Sequence, residues 1–299
     1  MIIYYDAPGQ TPGKNINEVM TLSLLEAIFM GFVQGVAEFL PISSSGHLTL
    51  LQHFFKMEEV DNLFNILLHF ATLIAVCVVY RKDIAEMIVE FFKGVGSLFG
   101  GHGSRESRPP EARRLVMMVI VGTLPLFVVL PLEGLVEGLG NYPAAVSVML
   151  LVTGCILFFS DRVGDGRKTA RTATVKDALL VGIAQGVATI PGISRSGSTI
   201  SAGLLLGFNR KFAVRYSFLL SLPAVLGATL LKVVRAFGDQ GIDTSLLPMY
   251  IAGMVVAGVV GYFSIQLVRL LANKGKFGNF AYYCWIVGIV SLIAGFIVL

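Results

Sequence analysis

Residues 34–47 read QGVAEFLPISSSGH, and residues 185–199 read QGVATIPGISRSGST. Each stretch places Pro, Gly and Ser in the middle of a long apolar segment, which covers residues 20–55 in the first case and 175–207 in the second. Either half of such a segment has only about a dozen apolar residues, whereas a transmembrane helix needs about 20. The two stretches therefore predict helix–break–helix hairpins, each of which enters and leaves a membrane on the same side.

The two hairpins are related in sequence. Ten of the twenty residues 27–46 are identical to their counterparts in residues 178–197, at a constant offset of 151. The predicted helix starts agree as well, because Ser23 and Thr174 are each followed three positions later by an acidic residue, which is the spacing of a capping box. This degree of identity predicts an internal duplication.

The composition places these hairpins in a membrane. Of the 299 residues, 55% are hydrophobic and only 14% are charged, and the mean hydropathy is +0.77. A soluble domain carries about 25% charged residues, so the composition excludes an ordinary soluble domain as well as a disordered or collagen-like chain. The formal net charge of +4 does not indicate nucleic-acid binding, because Lys and Arg lie between the apolar segments and form no basic stripe.

Six further windows are long and apolar enough to cross a membrane, namely residues 63–80, 115–132, 143–160, 213–231, 248–270 and 277–299. The connections 81–114 and 161–176 are rich in Lys and Arg, whereas 133–142 contains neither, and basic connections face the cytoplasm. Counting spans from these connections makes the two hairpins enter from opposite faces. Their broken tips are then expected to meet near the membrane midplane, where proteins of this symmetry place their binding sites.

The predicted fold is an all-α polytopic membrane protein with six transmembrane helices plus two re-entrant helical hairpins in an inverted-topology repeat. Residues 1–19 form a polar N-terminal tail without the pattern of a signal peptide. Residues 20–299 form a single membrane domain, in which repeat 1 covers about residues 20–160 and repeat 2 about residues 174–299.

The predicted breaks collect most of the polar chemistry of the apolar segments. The first break contributes Gln34, Glu38, Ser43, Ser44, Ser45 and His47, and the second contributes Gln185, Thr189, Ser194, Arg195, Ser196, Ser198 and Thr199. Ionisable side chains at membrane depth are costly and usually mark a functional site. Glu38, His47 and Arg195 are the main candidates of this kind. The other histidines are interpreted differently: His53 and His69 as structural residues and His102 as part of a loop.

These residue types favour an intramembrane site for a phosphorylated ligand, with hydrolytic chemistry. Arg195 supplies a forked donor suited to phosphate oxygens, and the helices that restart after each break point free N–H groups at the junction. Glu38 facing a phosphate requires either a divalent cation between the two or a protonated carboxyl group. His47 can shuttle a proton or attack phosphorus, and Ser44 can attack if His47 or Glu38 accepts its proton.

Each of these features also has a purely structural interpretation. Ser–Gly clusters let transmembrane helices pack closely, a membrane histidine can serve as a structural hydrogen-bonding group, and Arg195 alone could anchor a helix at the interface. Close packing explains neither Glu38 nor Arg195, however, so their joint occurrence in paired breaks favours the functional interpretation.

The two motifs together resemble those of the undecaprenyl-pyrophosphate phosphatase family of bacteria, also called the bacitracin-resistance protein. The resemblance covers nearly the whole chain in motif order, apolar segments and length. The Glu/Gln-x-x-x-Glu motif of the family falls on Gln34 and Glu38, its Ser-and-His stretch on Ser43, Ser44 and His47, and its P-G-x-S-R-S-x-x-T motif on residues 191–199. Many relatives have Glu where this chain has Gln34, which leaves Glu38 as the single carboxylate of the first motif.

The resemblance implies an enzyme that hydrolyses undecaprenyl diphosphate to undecaprenyl phosphate and inorganic phosphate, and so recycles a lipid carrier for cell-wall synthesis. It implies a divalent cation, Mg²⁺ or Ca²⁺, and a place in the bacterial cytoplasmic (inner) membrane with the active site open to the outer, periplasmic side. The implied partners are a polyprenyl diphosphate substrate and membrane lipid, with no nucleic acid. Bacitracin is expected to act on the substrate rather than on the protein, and a homodimer remains open.

The resemblance also implies roles for individual residues. The catalytic residues are Glu38, Ser44, His47 and Arg195. Glu38 acts in proton transfer or as a metal ligand, and either Ser44 or His47 is the nucleophile. The phosphate-binding residues are Gln34, Ser43, Ser45, Ser194, Arg195, Ser196 and Thr199.

Two other functional classes are the alternatives to this one. A transporter or flippase of a polyprenyl phosphate lipid fits the inverted repeat and the broken helices. The acid-phosphatase class of membrane lipid phosphatases is disfavoured, because its Lys/Arg-Pro, Ser-Gly-His and second-His motifs do not occur here in order.

Overall fold

The computed structural model describes residues 23–55, 62–98, 110–239 and 246–298. The regular structure of these residues is helical, as predicted. It consists of a short 3₁₀ helix, Leu130–Leu132, and of α1 (Leu24–Ala37), α2 (Ser44–Phe54), α3 (Asn62–Val79), α4 (Arg81–Leu98), α5 (Glu111–Val129), α6 (Glu133–Gly140), α7 (Pro143–Asp161), α8 (Val175–Val187), α9 (Arg195–Leu205), α10 (Arg210–Asp239), α11 (Leu247–Asn273) and α12 (Asn279–Val298). The predicted tail 1–19 and His102 lie outside the described residues.

The two breaks fall where the sequence places them, between α1 and α2 and between α8 and α9. The four helices on either side have 14, 11, 13 and 11 residues. At about 1.5 Å of rise per residue, none reaches across a hydrocarbon core of about 30 Å. Both predicted capping boxes are present, since Ser23 and Thr174 each exchange hydrogen bonds with the acidic residue three positions later.

Four segments are long and apolar enough to cross a membrane by themselves: Glu111–Val136, Pro143–Asp161, Arg210–Leu231 and Leu247–Asn273. They correspond to four of the six predicted windows. The window at residues 63–80 corresponds to α3, which passes the same test only together with α4. The window at 277–299 corresponds to α12, whose tested part, Asn279–Gly295, falls among the shorter apolar helices. Four to five membrane-length helices are therefore supported on length and composition.

The connection 81–114 differs from its prediction as a plain link between spans. It contains α4, which leaves α3 at an angle of 86°. The helix forms because Ile84, Met87, Ile88 and Phe91 recur at helical spacing and give it one apolar side. On its polar side, Glu90 bonds to Lys93 on the same helix (3.0 Å) and pairs with Arg113 on α5 (2.9 Å).

Glycines let each hairpin approach a long helix from the other part of the chain. Gly31 on α1 lies against Gly253 on α11, and a Cβ built at Gly31 would be 2.3 Å from the Gly253 carbonyl oxygen. Gly182 on α8 lies in the same way against Gly122 on α5, also at 2.3 Å. Because Gly31 and Gly182 are counterparts at the offset of 151, the repeated sequence produces a repeated packing contact.

We expect Gly31→Ala to destabilise the protein, because the added methyl group meets backbone that cannot rotate away. The expected cost is about 1–3 kcal/mol, measured as a lower thermal unfolding midpoint in detergent. The matched control is Gly94→Ala on α4, where a built Cβ has no atom within 4 Å and alanine should be neutral or slightly stabilising. Equal midpoints for the two variants would contradict the close approach of α1 and α11.

Hydroxyl groups on α7 hold the second hairpin in place. The Thr153 hydroxyl donates to the Gly192 carbonyl (2.9 Å) and accepts from the Ser194 amide (3.1 Å). Ser160 contacts Ser201 on α9 at 2.8 Å. Gly192 has a φ of +95°, and a Cβ there would lie 2.4 Å from the Val146 carbonyl oxygen. The second break therefore packs tightly against α7, and the close contact of Gly192 with the α7 backbone requires glycine at that position.

Candidate active site

The tips of the two hairpins are in direct contact. A Cβ built at Gly46, in the first turn of α2, would lie 3.0 Å from the Cα of Gly192 in the second break. A Cβ built at Gly197, in the first turn of α9, would lie 3.3 Å from the Cβ of Pro41 in the first break. Each break thus packs against the first turn of the helix that follows the other break.

The two restarting helices are capped in the same way. The hydroxyl group of Ser43 accepts from the Gly46 amide (3.2 Å), and that of Ser194 accepts from the Gly197 amide (3.1 Å). Ser45 and Ser196 complete the pattern, since their hydroxyl groups lie 3.4 and 3.3 Å from those of the respective caps. α2 and α9 therefore both begin at the junction, where helix N-termini favour anions.

Ser43 shows backbone strain at this junction. Its φ is +68°, and among the described residues it is the single non-glycine residue with a positive φ. Strain of this kind concentrates at functional sites, where the surrounding structure enforces it. Here the cap hydrogen bond and the contact of Gly46 with Gly192 hold the first tip in that conformation.

Glu38 is the centre of the polar cluster. Its side chain is only 5% exposed, and one carboxylate oxygen pairs with the Arg195 guanidinium. The other oxygen, Oε2, accepts from the Ser44 hydroxyl group (2.6 Å) and from the Gln34 amide (3.0 Å). Four of the residues predicted from the two motifs are therefore in contact, although 157 positions separate Glu38 from Arg195.

Arg195 is positioned to meet a ligand. It is the first residue of α9, after the Ser194 cap, and its side chain is 27% exposed although its partner Glu38 is buried. A permanently charged fork at a helix N-terminus can bind two oxygens of a phosphate group. The buried Glu38 fixes the orientation of the Arg195 guanidinium group.

His47 lies in the first turn of α2, next to the Ser43 cap. Its Nδ1 is 2.8 Å from the Ser43 carbonyl oxygen, and its Nε2 is 2.8 Å from the hydroxyl group of Tyr283 on α12. The two rings are stacked, with centroids 5.6 Å apart. Within the described part of the chain, no hydrogen bond joins His47 to Glu38, Ser44 or Arg195. The catalytic role of His47 stays a prediction.

His69 is the residue that the sequence interpretation missed. Its Nε2 lies 3.6 Å from Oε2 of Glu38, so His69 is in contact with the candidate site, and its interpretation as a structural residue stays a prediction. A signal for it was present in the sequence: Asn65, His69 and Thr72 are polar residues at positions i, i+4 and i+7 of an otherwise apolar window.

The remaining predicted phosphate ligands are occupied by protein contacts. Thr199 donates to the Arg195 carbonyl (2.9 Å), and its hydroxyl group lies 2.5 Å from that of Ser217 on α10. Ser43 and Ser194 serve as helix caps. Ser45 is half-buried and Ser196 is buried beside these caps. Their predicted binding of phosphate stays a prediction.

Oxygen ligands for a hard cation are present beside Glu38. Among the described residues, no group of three or more His, Cys, Asp and Glu side chains forms a metal site. However, Oε1 of Gln34 is buried and has no hydrogen-bond partner in the described structure. An amide oxygen and a carboxylate suit a cation such as Mg²⁺, which keeps water or substrate phosphate oxygens as its other ligands.

The fold and the site together define a class of protein: an all-helical membrane protein with a buried carboxylate–guanidinium pair between two broken helical hairpins. More specifically, the chain belongs to the family described as Bacitracin resistance protein BacA, whose sequence pattern matches residues 27–290.

Several proteins named Undecaprenyl-diphosphatase are similar to this chain over most of its length. The protein from Methanosphaera stadtmanae is 40% identical over 275 residues, which cover 91% of this chain and 98% of its own. The protein from Treponema denticola is 42% identical over 266 residues, or 88% of this chain and 94% of its own. That from Desulfosudis oleivorans is 39% identical over 273 residues, with coverage of 91% and 98%.

Proposed function

We propose that this protein is an undecaprenyl-diphosphatase, which hydrolyses undecaprenyl diphosphate to undecaprenyl phosphate and inorganic phosphate. The single observation that carries this proposal is the contact of Glu38 with both Arg195 and Ser44 at the junction of the two hairpins. The named relatives support the same activity. The reaction recycles a lipid carrier for cell-wall synthesis, and loss of the activity is expected to impair peptidoglycan assembly and resistance to bacitracin.

Arg195 and the two helix N-termini bind the terminal phosphate. Phosphoryl transfer depends mainly on positioning and on neutralising charge, and a guanidinium group beside free backbone N–H groups provides both. Arg195 moves from the carboxylate of Glu38 to the phosphate oxygens when substrate arrives. Glu38 then keeps its contact with Ser44 (2.6 Å) and is free to accept a proton.

Ser44 is the nucleophile that this geometry favours. Its Oγ attacks the terminal phosphorus while Glu38 accepts its proton. The bond from phosphorus to the bridging oxygen breaks, and undecaprenyl phosphate leaves. Water then hydrolyses the phosphoserine to release inorganic phosphate, and Glu38 returns the proton to the Oγ of Ser44. In the alternative, His47 attacks through Nε2, which requires the ring to leave Tyr283.

Glu38 and Gln34, whose Oε1 has no partner in the described structure, would hold a divalent cation, Mg²⁺ or Ca²⁺, once Arg195 and the Gln34 amide release the carboxylate. With so few protein ligands, such a cation would depend on oxygens of the substrate phosphates and of water for its other ligands. When bound, the cation neutralises negative charge on the diphosphate. Gln34 and Glu38 lie four residues apart on one face of α1, so both side chains reach the same point.

We expect Gln34→Glu to lower the Mg²⁺ concentration needed for half-maximal activity by about tenfold, the equivalent of about 1.4 kcal/mol of tighter binding. The reason is that a second carboxylate beside Glu38 is stabilised by a cation between them. The measurement is a metal titration of phosphate release. The control is Gln266→Glu, an exposed position on α11. An unchanged titration for Gln34→Glu would show that this side chain does not face the metal.

The proposal includes the arrangement of the helices in the membrane and the side to which the site opens. Six transmembrane helices and two re-entrant hairpins form an inverted repeat in a single membrane domain, with repeats at about residues 20–160 and 174–299. The lengths of α1, α2, α8 and α9 support the re-entrant hairpins. The protein lies in the bacterial cytoplasmic (inner) membrane with its site open to the periplasmic side. The polyprenyl tail lies among the helices in contact with membrane lipid. Bacitracin binds the lipid substrate, not the protein.

One experiment separates this function from that of a carrier for polyprenyl phosphate lipids. Purified protein in detergent receives a prenyl diphosphate and Mg²⁺, and released inorganic phosphate is measured against a reaction without protein. The phosphatase releases phosphate with turnover. A carrier binds the same lipid and releases none, and that result would overturn the proposal.

A further inference from the structure

We infer that His69 is a positioning residue for Glu38: it holds the carboxylate toward Ser44 while Arg195 binds the substrate phosphate. The inference rests on the proposed phosphatase function and adds to it a residue outside both sequence motifs. His69 lies on α3, which packs beside the first hairpin. Its side chain is 32% exposed, whereas that of Glu38 is 5% exposed.

The orientation of the His69 ring is fixed by its own helix. Its Nδ1 lies 2.8 Å from the Asn65 carbonyl oxygen, and because a carbonyl only accepts, Nδ1 carries a proton and donates it there. The side chain of Asn65 in turn accepts from Gln52 on α2 (3.3 Å), which ties α3 to the first hairpin. These contacts leave Nε2 directed at Oε2 of Glu38, at 3.6 Å.

Glu38 needs a second basic neighbour during the reaction. Within the described residues, Arg195 and His69 are the two basic side chains that lie within 4.0 Å of its carboxylate. A phosphate on Arg195 competes with Glu38 for the guanidinium group, and a buried carboxylate that loses its cationic partner is strongly destabilised. His69 stays beside the oxygen that contacts Ser44, and its fixed ring holds the carboxylate turned toward that hydroxyl group.

His47 shows that this arrangement is not a general property of histidines in the site. The Nδ1 of His47 also faces the carbonyl oxygen four residues earlier, but its Nε2 contacts Tyr283. The two rings are therefore fixed in the same way through Nδ1, but their Nε2 atoms contact different neighbours. On geometry, the imidazole that accompanies the Glu38–Ser44 pair is that of His69.

The test compares His69→Leu with His69→Gln. The leucine variant removes the polar contact, whereas the glutamine amide can donate to the same carboxylate oxygen. Phosphate release from a prenyl diphosphate is measured in detergent at saturating Mg²⁺, and kcat and KM are determined separately. We expect His69→Leu to lower kcat by about 10–100-fold, with KM changed less than about threefold because Arg195 still binds the phosphate. His69→Gln should recover most of the lost kcat.

Matched controls are His53→Leu and His53→Gln, at an exposed histidine on α2 that packs edge-on against Phe54. Both should match the wild type. The inference is overturned if His69→Leu keeps kcat within about twofold of the wild type, or if His69→Gln loses as much as His69→Leu. Failure of the proposed function gives a different result, since the wild type and the His53 variants would then release no phosphate either.

Discussion

Arg195→Ala is expected to lower kcat/KM for phosphate release by at least about 1000-fold, comparable to the loss of a catalytic arginine in other phosphoryl-transfer enzymes. Among the residues that the structure describes, its guanidinium group is the one permanent cation that contacts Glu38, and it lies at the N-terminus of α9, where the phosphate is expected to bind. No other described arginine pairs with Glu38 and could replace this forked donor. Arg195→Lys should recover only part of the activity, because a lysine keeps the charge and loses the fork.

The removal of Arg195 also leaves Glu38 buried without its partner, which costs about 3–5 kcal/mol in comparable pairs. Thermal unfolding in detergent is therefore measured beside activity. The comparison requires that Arg195→Ala is still folded at the assay temperature. The matched control is Arg162→Ala, at an exposed arginine that lies 3.3 Å over the Phe158 ring. Substantial activity in folded Arg195→Ala would remove Arg195 from the phosphate site.

Ser44→Ala is expected to cause a second loss of similar size, at least about 1000-fold in kcat, because the variant lacks the nucleophile. The structural basis is the 2.6 Å contact between the Ser44 hydroxyl group and Glu38, which gives the hydroxyl a base. His47→Ala is expected to cost less, about 10–100-fold, because the ring contacts Tyr283 and the Ser43 carbonyl rather than Ser44 or Glu38. Single-turnover and steady-state rates of phosphate release, measured for Ser44→Ala and His47→Ala, show which substitution causes the larger loss.

The exposed hydroxyl group of Ser97 on α4, away from the junction, provides the control for Ser44. Ser97→Ala removes a hydroxyl group that donates to the Gly94 carbonyl of its own helix (2.7 Å), and it should retain the activity. Rapid acid quenching of the wild type should trap a phosphate on Ser44 that is stable to acid. A parallel quench in base preserves phosphohistidine, which acid destroys, and a phosphate found on His47 in that sample would exclude Ser44 as the nucleophile.

Much of the fold was predictable from local sequence. The break between Glu38 and Ser43 follows from Pro41 and the run of serines, and the capping box at Thr174 follows from Asp177 three residues later. Both are decided by neighbouring residues, so short motifs suffice. The helix α4 was harder to predict, because its apolar residues are diluted by charged ones and so resemble a solvated connection.

The site was predictable in its members but only partly in its contacts. The motifs predicted Gln34, Glu38, Ser44 and Arg195 as site residues, and in the structure Glu38 contacts the other three. His69 was missed because its relevance depends on how α3 packs against α1, and no spacing within α3 specifies that neighbour.

Apolar content and two short motifs are sufficient to predict that this chain enters a membrane, that its helices break at two duplicated points, and which side chains those breaks carry. These properties depend on residues a few positions apart, so they can be predicted without knowledge of the tertiary fold. The contact of His69 with Glu38 and that of His47 with Tyr283 could not be predicted in this way. Both contacts depend on helices that are distant in the chain and that are brought together by the close approach of glycines such as Gly31 and Gly253.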